Sequence, residues 1–227
     1  ARWGLSARLT ASLRAGREDQ ALALLEPAMP ELRASRYSEQ AAHLRRSYAS
    51  LLSRRERFVE SETEARALRA HLEEERRLHE LPPVLACLAE ALRGQGRTVE
   101  AVEVLTAMEA LARRLGAWEA LGHALRELGS LAQATDHDEE AVRRQERALA
   151  VATAAGHRDG ALRARAGLAR AELARGDLAV ARLHLERTFA QARDDRDASR
   201  AGDAAFSLVE LSLEEGRVAE AFDHGAW

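Results

Sequence analysis

The chain has 227 residues, of which 46% are hydrophobic and 31% charged, with a formal net charge of -3. The apolar share is mostly Ala and Leu, with few aromatic and β-branched residues, which is a helix-forming composition. Lys, Asn and Ile are absent, so a Gly-Lys P-loop and a lysine Schiff base are excluded, and the small negative charge argues against wholesale affinity for nucleic acid by this segment.

This length is enough to bury a continuous core. The single cysteine, Cys87, cannot form an internal disulfide, so no oxidising compartment is required and a cytoplasmic location is expected. No stretch approaches the roughly 20 apolar residues that span a bilayer, and no signal-peptide pattern opens the chain. It begins Ala1-Arg2-Trp3 rather than with Met, which reads as an excerpt of a longer protein.

The elements are punctuated at a fixed interval. Gly16, Gly96, Gly176 and Gly216 differ by multiples of 40, and Glu56 and Asp136 hold the two remaining slots. Five residues after each slot stands a small residue: Ala21, Ser61, Ala101, Ala141, Ala181 and Ala221. Eight residues before each stands Arg8, Tyr48, Leu88, Leu128, Leu168 or Leu208, followed at once by Leu9, Ala49, Ala89, Gly129, Ala169 or Val209. A large residue beside a small one lets a second helix approach, Gly closes the first helix in a left-handed conformation, and a small residue past the turn keeps the pair from being pushed apart.

In chain order, the first hairpin is predicted as helices over 2–14 and 18–35, with Pro27 and Pro30 kinking or breaking the second. The next pairs 39–54 with 58–78. The third opens at Pro82 and Pro83, where a missing N–H costs least, and pairs 81–94 with 98–115, closing at Leu115-Gly116. The fourth pairs 118–134 with 138–155 and closes at Ala155-Gly156, the fifth pairs 159–174 with 178–194, and the sixth pairs 199–214 with a helix from 217 to the end.

A Leu-Gly or Leu-Ala pair, a Gly eight residues after the Leu and an Ala five further on resemble the tetratricopeptide repeat (TPR), most closely at Leu128-Gly129 and at Leu168-Ala169 with Gly176, Asp177 and Ala181. The run from Met108 to Glu127, with its Ala-Arg-Arg-Leu-Gly close, resembles the longer variant of kinesin light chains and of helical domains in large bacterial transcriptional activators. The second hairpin departs most, with Glu56 and Ser61 for Gly and Ala and with Arg45 at an aromatic or Leu slot. The resemblance implies an all-α, right-handed superhelical solenoid of about six antiparallel hairpins in a single domain over 1–227, with repeats near 1–40, 41–80, 81–120, 121–160, 161–200 and 201–227.

The resemblance further implies that first helices line a concave face, at block positions that hold His43, Arg46, Arg93, His123, Arg126, Arg163 and Arg170 against one acid, Glu90. Such a face suits an acidic peptide, a terminal carboxylate or a phosphate through bidentate Arg contacts. Elsewhere the chemistry is sparse. His71, Glu75 and His79 are four apart, as metal ligands on one helical face would be, but the surrounding charges read as a solvated surface, and no metal or cofactor is expected. Cys87 reads as packing, and the acids at 136 and 138–140 as complements to a helix dipole.

No constellation of nucleophile, base and oxyanion donor is readable, so the expectation is a non-catalytic protein-interaction or ligand-sensing module of a bacterial transcriptional regulator. The alternative is a free-standing scaffold or adaptor that assembles its partners as a homodimer. The last hairpin stops at Trp227 within its second helix. Either more repeats follow or the end meets a second copy through Phe206, Leu208, Leu211, Phe222 and Trp227.

Overall fold

A computed structural model describes residues 2–35 and 38–217, and the regular structure among them is helical, without strands. The chain divides into two compact units, the first ending at Leu111 and the second beginning at Ala112. The first holds α1 (Arg2–Arg14), α2 (Glu18–Leu25), α3 (Met29–Ala34), α4 (Glu39–Arg54), α5 (Phe58–Glu74), α6 (Leu81–Gly94) and most of α7 (Thr98–Leu115). The second holds the last turn of α7, then α8 (Trp118–Ala134), α9 (Asp138–Ala154), α10 (Arg158–Arg175), α11 (Leu178–Asp194) and α12 (Ala198–Glu214). Within each unit, neighbouring helices pack as antiparallel hairpins, as in α4 against α5 and α8 against α9. The predicted helix from 217 onward, with Ala221, lies outside the described residues.

The spacing originates in the helix ends. The Arg17 N–H donates to the Ser12 carbonyl at 2.9 Å and the Gly16 N–H to the Leu13 carbonyl at 3.1 Å, the paired bonds that close a helix on a left-handed residue. The same pair recurs at the later turns, for instance from His137 to Ala132 and from Asp136 to Gln133. Among the described residues the left-handed ones are Gly16, Glu56, Arg76, Gly96, Gly116, Asp136, Gly156, Gly176, Arg196 and Gly216. Turns within a hairpin and turns between hairpins are therefore built alike, and the 40-residue period of the sequence is a 20-residue period of the backbone. Arg76 and Arg196 hide half of it from a reader looking for Gly.

This corrects one boundary. The helix predicted over 58–78 ends at Glu74, because Arg76 takes φ 57° and residues 78–80 form a 3₁₀ turn leading into α6. The break at Pro27 and Pro30 is present as expected: α2 stops at Leu25, Glu26–Ala28 is 3₁₀, and α3 starts at Met29.

Ala21, Ser61, Ala101, Ala141 and Ala181 are all fully buried, as their place past each turn requires. Ser61 keeps its hydroxyl satisfied there, donating to the Ala49 carbonyl at 2.8 Å and accepting from the Ser53 hydroxyl at 2.9 Å. Tyr48, Leu88, Leu128, Leu168 and Leu208 are buried, while Arg8, in the same column, is exposed. One core gathers Leu25, Leu32, Leu44 and Leu51 in the first unit, and Leu185, Leu208 and Leu211 cluster with Ala169 in the second. Leu208 and Leu211 are thus interior residues and are not available to a second copy, contrary to the expectation for that end. Phe206 is 63% exposed, and Phe222 and Trp227 lie outside the described residues.

Candidate functional site

In the second unit, α8 and α10 present residues at helical spacing to one cavity of about 340 Å³: His123, Arg126 and Ser130 from α8, and Arg163, Ala166 and Arg170 from α10. Four of the seven predicted groove residues therefore converge. Arg200, Asp203, Ala204 and Ser207 of α12 and Leu185 of α11 complete much of the wall, with Glu127 beside Arg126.

Two buried polar side chains also line it, Gln145 of α9 and Thr188 of α11, each only 2% exposed. Gln145 reaches its position because two glycines leave room. A Cβ at Gly129 would lie 2.8 Å from its Nε2, and one at Gly167 would lie 2.6 Å from its Cδ and Oε1. The Nε2 donates to the Arg126 carbonyl at 3.1 Å, which fixes the amide orientation and leaves Oε1 buried without a partner among the described residues. Thr188 Oγ1 is likewise unpartnered, although Thr10, Thr63, Thr106 and Thr135 all bond to the carbonyl four residues back. An unpaired buried polar atom costs about 1–3 kcal/mol, so two on residues that line one cavity are a feature to be explained.

The electrostatics centre on Arg126. Its Nη2 donates to His123 Nδ1 at 3.1 Å, which requires a neutral imidazole. Burial pulls the His123 pKa down; Glu127 opposes this, while Arg126 and Arg163 add to it. Burial also lowers the Arg126 pKa, partly offset by Glu127. Arg163 is paired with Asp159 at 2.9 Å, and Arg200 with Asp159 and Asp197 at 2.7 and 2.6 Å. Among the described residues, Arg126 and Arg170 make no ion pair.

The first unit repeats the His-Arg arrangement. Arg46 Nη2 donates to His43 Nδ1 at 3.0 Å, and both line a cavity of about 280 Å³ with Glu39, His79, Glu80 and Val84 among its other walls. Here the acids are close, and burial with Arg46 lowers the His43 pKa. Arg93 is exposed on α6 and lines neither cavity.

The remaining chemical candidates resolve structurally. Because α5 ends at Glu74, His71, Glu75 and His79 do not continue along one helix; Glu75 contacts His71 at 3.4 Å and Arg77 at 3.0 Å, while His79 faces Glu80. Cys87 is buried and its thiol pushed up to about 11, so it is a thiol at neutral pH. Glu140, from the acid run, pairs with Arg143 and Arg144.

Gln145 and Thr188 were not singled out by the sequence, yet a signal was present. At the 40-residue period Gln145 falls in a column with Leu25, Ala65, Leu105 and Leu185, and Thr188 in one with Ala28, Leu68, Met108 and Ala148. Each is a polar residue at an otherwise apolar position.

Hairpins closed by recurrent left-handed caps, with small residues past each turn, define a tetratricopeptide-like helical solenoid. The same architecture occurs in the apo form of RapI, at TM-score 0.78 and 11% identity over 98% of this chain and 94% of that one. It also occurs in a signal transduction ATPase with numerous domains (STAND) from Pyrococcus horikoshii that carries a tetratricopeptide repeat sensor, at TM-score 0.75 and 16% identity over 98% of this chain and 36% of that one. A kinesin light chain with nearly identical TPR-like repeats from Podosopora anserina matches at TM-score 0.69 and 20% identity, over 86% of this chain and 96% of that one. At these identities the likeness establishes the fold. No protein-family model and no curated protein matches the chain. No helix among the described residues is long and apolar enough to cross a membrane.

Proposed function

We propose that this chain is a non-catalytic interaction and ligand-sensing module, the regulatory domain of a bacterial transcriptional regulator, which takes an acidic protein or peptide on its first-helix faces. The observation that carries this reading is Arg126, a partly buried guanidinium without an ion pair among the described residues, in a cavity it shares with Arg163, Arg170 and Arg200. A cation removed from water in this way gains most from a carboxylate or phosphate that can accept two hydrogen bonds. The STAND protein lends support from a different side, since there a repeat array of this fold is the sensor part of a larger signalling protein. A reading frame that continues into a DNA-binding or nucleotide-binding domain supports the regulator assignment; a gene no longer than this chain supports a free-standing adaptor.

The test is charge reversal. Arg126→Glu combined with Arg163→Glu is expected to abolish binding of a labelled Glu-rich peptide and capture of acidic partners from source-cell lysate, with the helical circular dichroism unchanged. Undiminished binding by the folded double variant overturns the proposal.

A further inference from the structure

We infer that the cavity of the second unit is a site for a small organic acid that carries a hydrogen-bond donor beside its carboxylate, the chemistry shared by α-hydroxy and α-amino acids. This deepens the proposed function and rests on it, since it names a ligand for the same basic face.

Arg126 makes no ion pair among the described residues, so an anionic acceptor in the cavity would complete its pairing. Gln145 Oε1 is an acceptor with no donor, held in that sense by the bond from its own Nε2 to the Arg126 carbonyl. The ligand therefore also needs an N–H or O–H. Thr188 Oγ1 can give or receive a hydrogen bond and does neither among the described residues. Gln145 and Arg126 both line the cavity, and the bond from the Gln145 amide to the Arg126 carbonyl holds the two residues together there, which favours a ligand with its donor beside its carboxylate.

Size and polarity point to a small molecule. The volume of about 340 Å³ falls in the small-ligand range of roughly 300–1,000 Å³. Leu185, Ala166 and Ala204 give apolar wall for a short carbon skeleton. Both orphaned atoms belong to residues that are almost wholly buried, beyond the exposed arginines that an acidic protein surface would meet first. The two polar residues also stand where other repeats carry Leu, Ala or Met, and Gly129 and Gly167 are what make room for the larger of them.

The test titrates the purified chain with L-lactate and, one at a time, with the standard L-amino acids, reading thermal unfolding and saturation-transfer NMR. Propionate, with a carboxylate but no donor, and lactamide, with a donor but no carboxylate, are the chemical controls. At least one hydroxy or amino acid is expected to raise the unfolding temperature and receive saturation, and neither control should do so. The arm that responds tells the hydroxy class from the amino class. Arg126→Gln, Gln145→Met and Thr188→Val should each weaken that binding about tenfold or more, while Arg143→Gln, on the outer surface of α9, should not. Thr188→Val should also leave the unliganded protein at least as stable, since it removes an unpaired hydroxyl and keeps the shape. A purely structural role for Thr188 would instead lower stability. The inference is overturned if no acid binds, if propionate binds as well as the best acid, or if the three cavity variants bind normally. Failure here with Glu-rich peptide binding intact removes only the small acid, whereas loss of both removes the proposed function as well.

Discussion

Arg45 and Glu64 form a buried ion pair, Nε to Oε1 at 2.6 Å, with the two side chains 4% and 2% exposed. The second carboxylate oxygen of Glu64 accepts from Arg33 at 2.7 Å, so both oxygens are engaged. Arg45 occupies the position where the repeat pattern calls for Leu or an aromatic, and its partner on α5 explains how the second hairpin tolerates the exchange. The apolar contact of other repeats is replaced here by a charge-assisted one.

Removing one member of this pair should cost far more than removing both. Glu64→Ala leaves a guanidinium buried without its carboxylate and is expected to destabilise the chain by about 3–5 kcal/mol. Arg45→Met combined with Glu64→Leu should recover most of that loss, because a well-packed apolar pair avoids the desolvation of two charges. Urea unfolding of the three proteins checks both statements. A Glu64→Ala loss below about 1 kcal/mol, the usual worth of a surface pair, would show that the pair is not acting as a buried one.

The left-handed caps make a second prediction with opposite signs at equivalent sites. Glu56 and Asp136 hold φ near 59° and 58°, and both side chains are exposed. Glu56→Gly removes the steric cost of that conformation and should stabilise by about 1 kcal/mol, with a smaller gain for Asp136→Gly because Asp tolerates the region better. Gly176→Ala, at φ 84°, should lose a similar amount. Thermal denaturation that ranks Gly176→Ala above the parent, or Glu56→Gly below it, would contradict the cap assignment.

Acidification should weaken the fold through its histidines. His123 is lowered by burial first, with Arg126 and Arg163 adding to the shift and Glu127 opposing it; burial and neighbouring arginines act in the same direction on His43 and His184. Below the ordinary imidazole value of 6.5 the unfolded chain takes up protons that the folded chain resists, so stability falls with pH until the folded values are passed. Glu172, raised by burial, acts in the opposite sense as it protonates, so the comparison is made between parent and His123→Gln. The parent should lose more stability than the variant between about pH 7.5 and about pH 5.5. Equal losses in the two proteins would show that His123 does not titrate differently on folding.

The backbone course was legible in the linear order of residues because helix ends are local events. A left-handed residue, the small side chain five places on and the prolines at 27, 30, 82 and 83 act through their own dihedrals and nearest turns, and they placed most helices within a residue or two. Where a left-handed position carried Arg rather than Gly, as at Arg76, the signal vanished and α5 was drawn too long. The clustering of basic residues was half legible. The concave block positions that the resemblance implies named His123 with Arg126 and His43 with Arg46, but whether a guanidinium is paired or idle depends on the acids that packing brings near it, as α10 brings Asp159 to Arg200 of α12. The sequence marks Gln145 and Thr188 only as polar residues in apolar columns, and the tertiary structure decided their chemistry: Gln145 is buried beside Arg126, Gly129 and Gly167, 16 to 22 positions away, and each of the two keeps a buried polar atom without a hydrogen bond among the described residues.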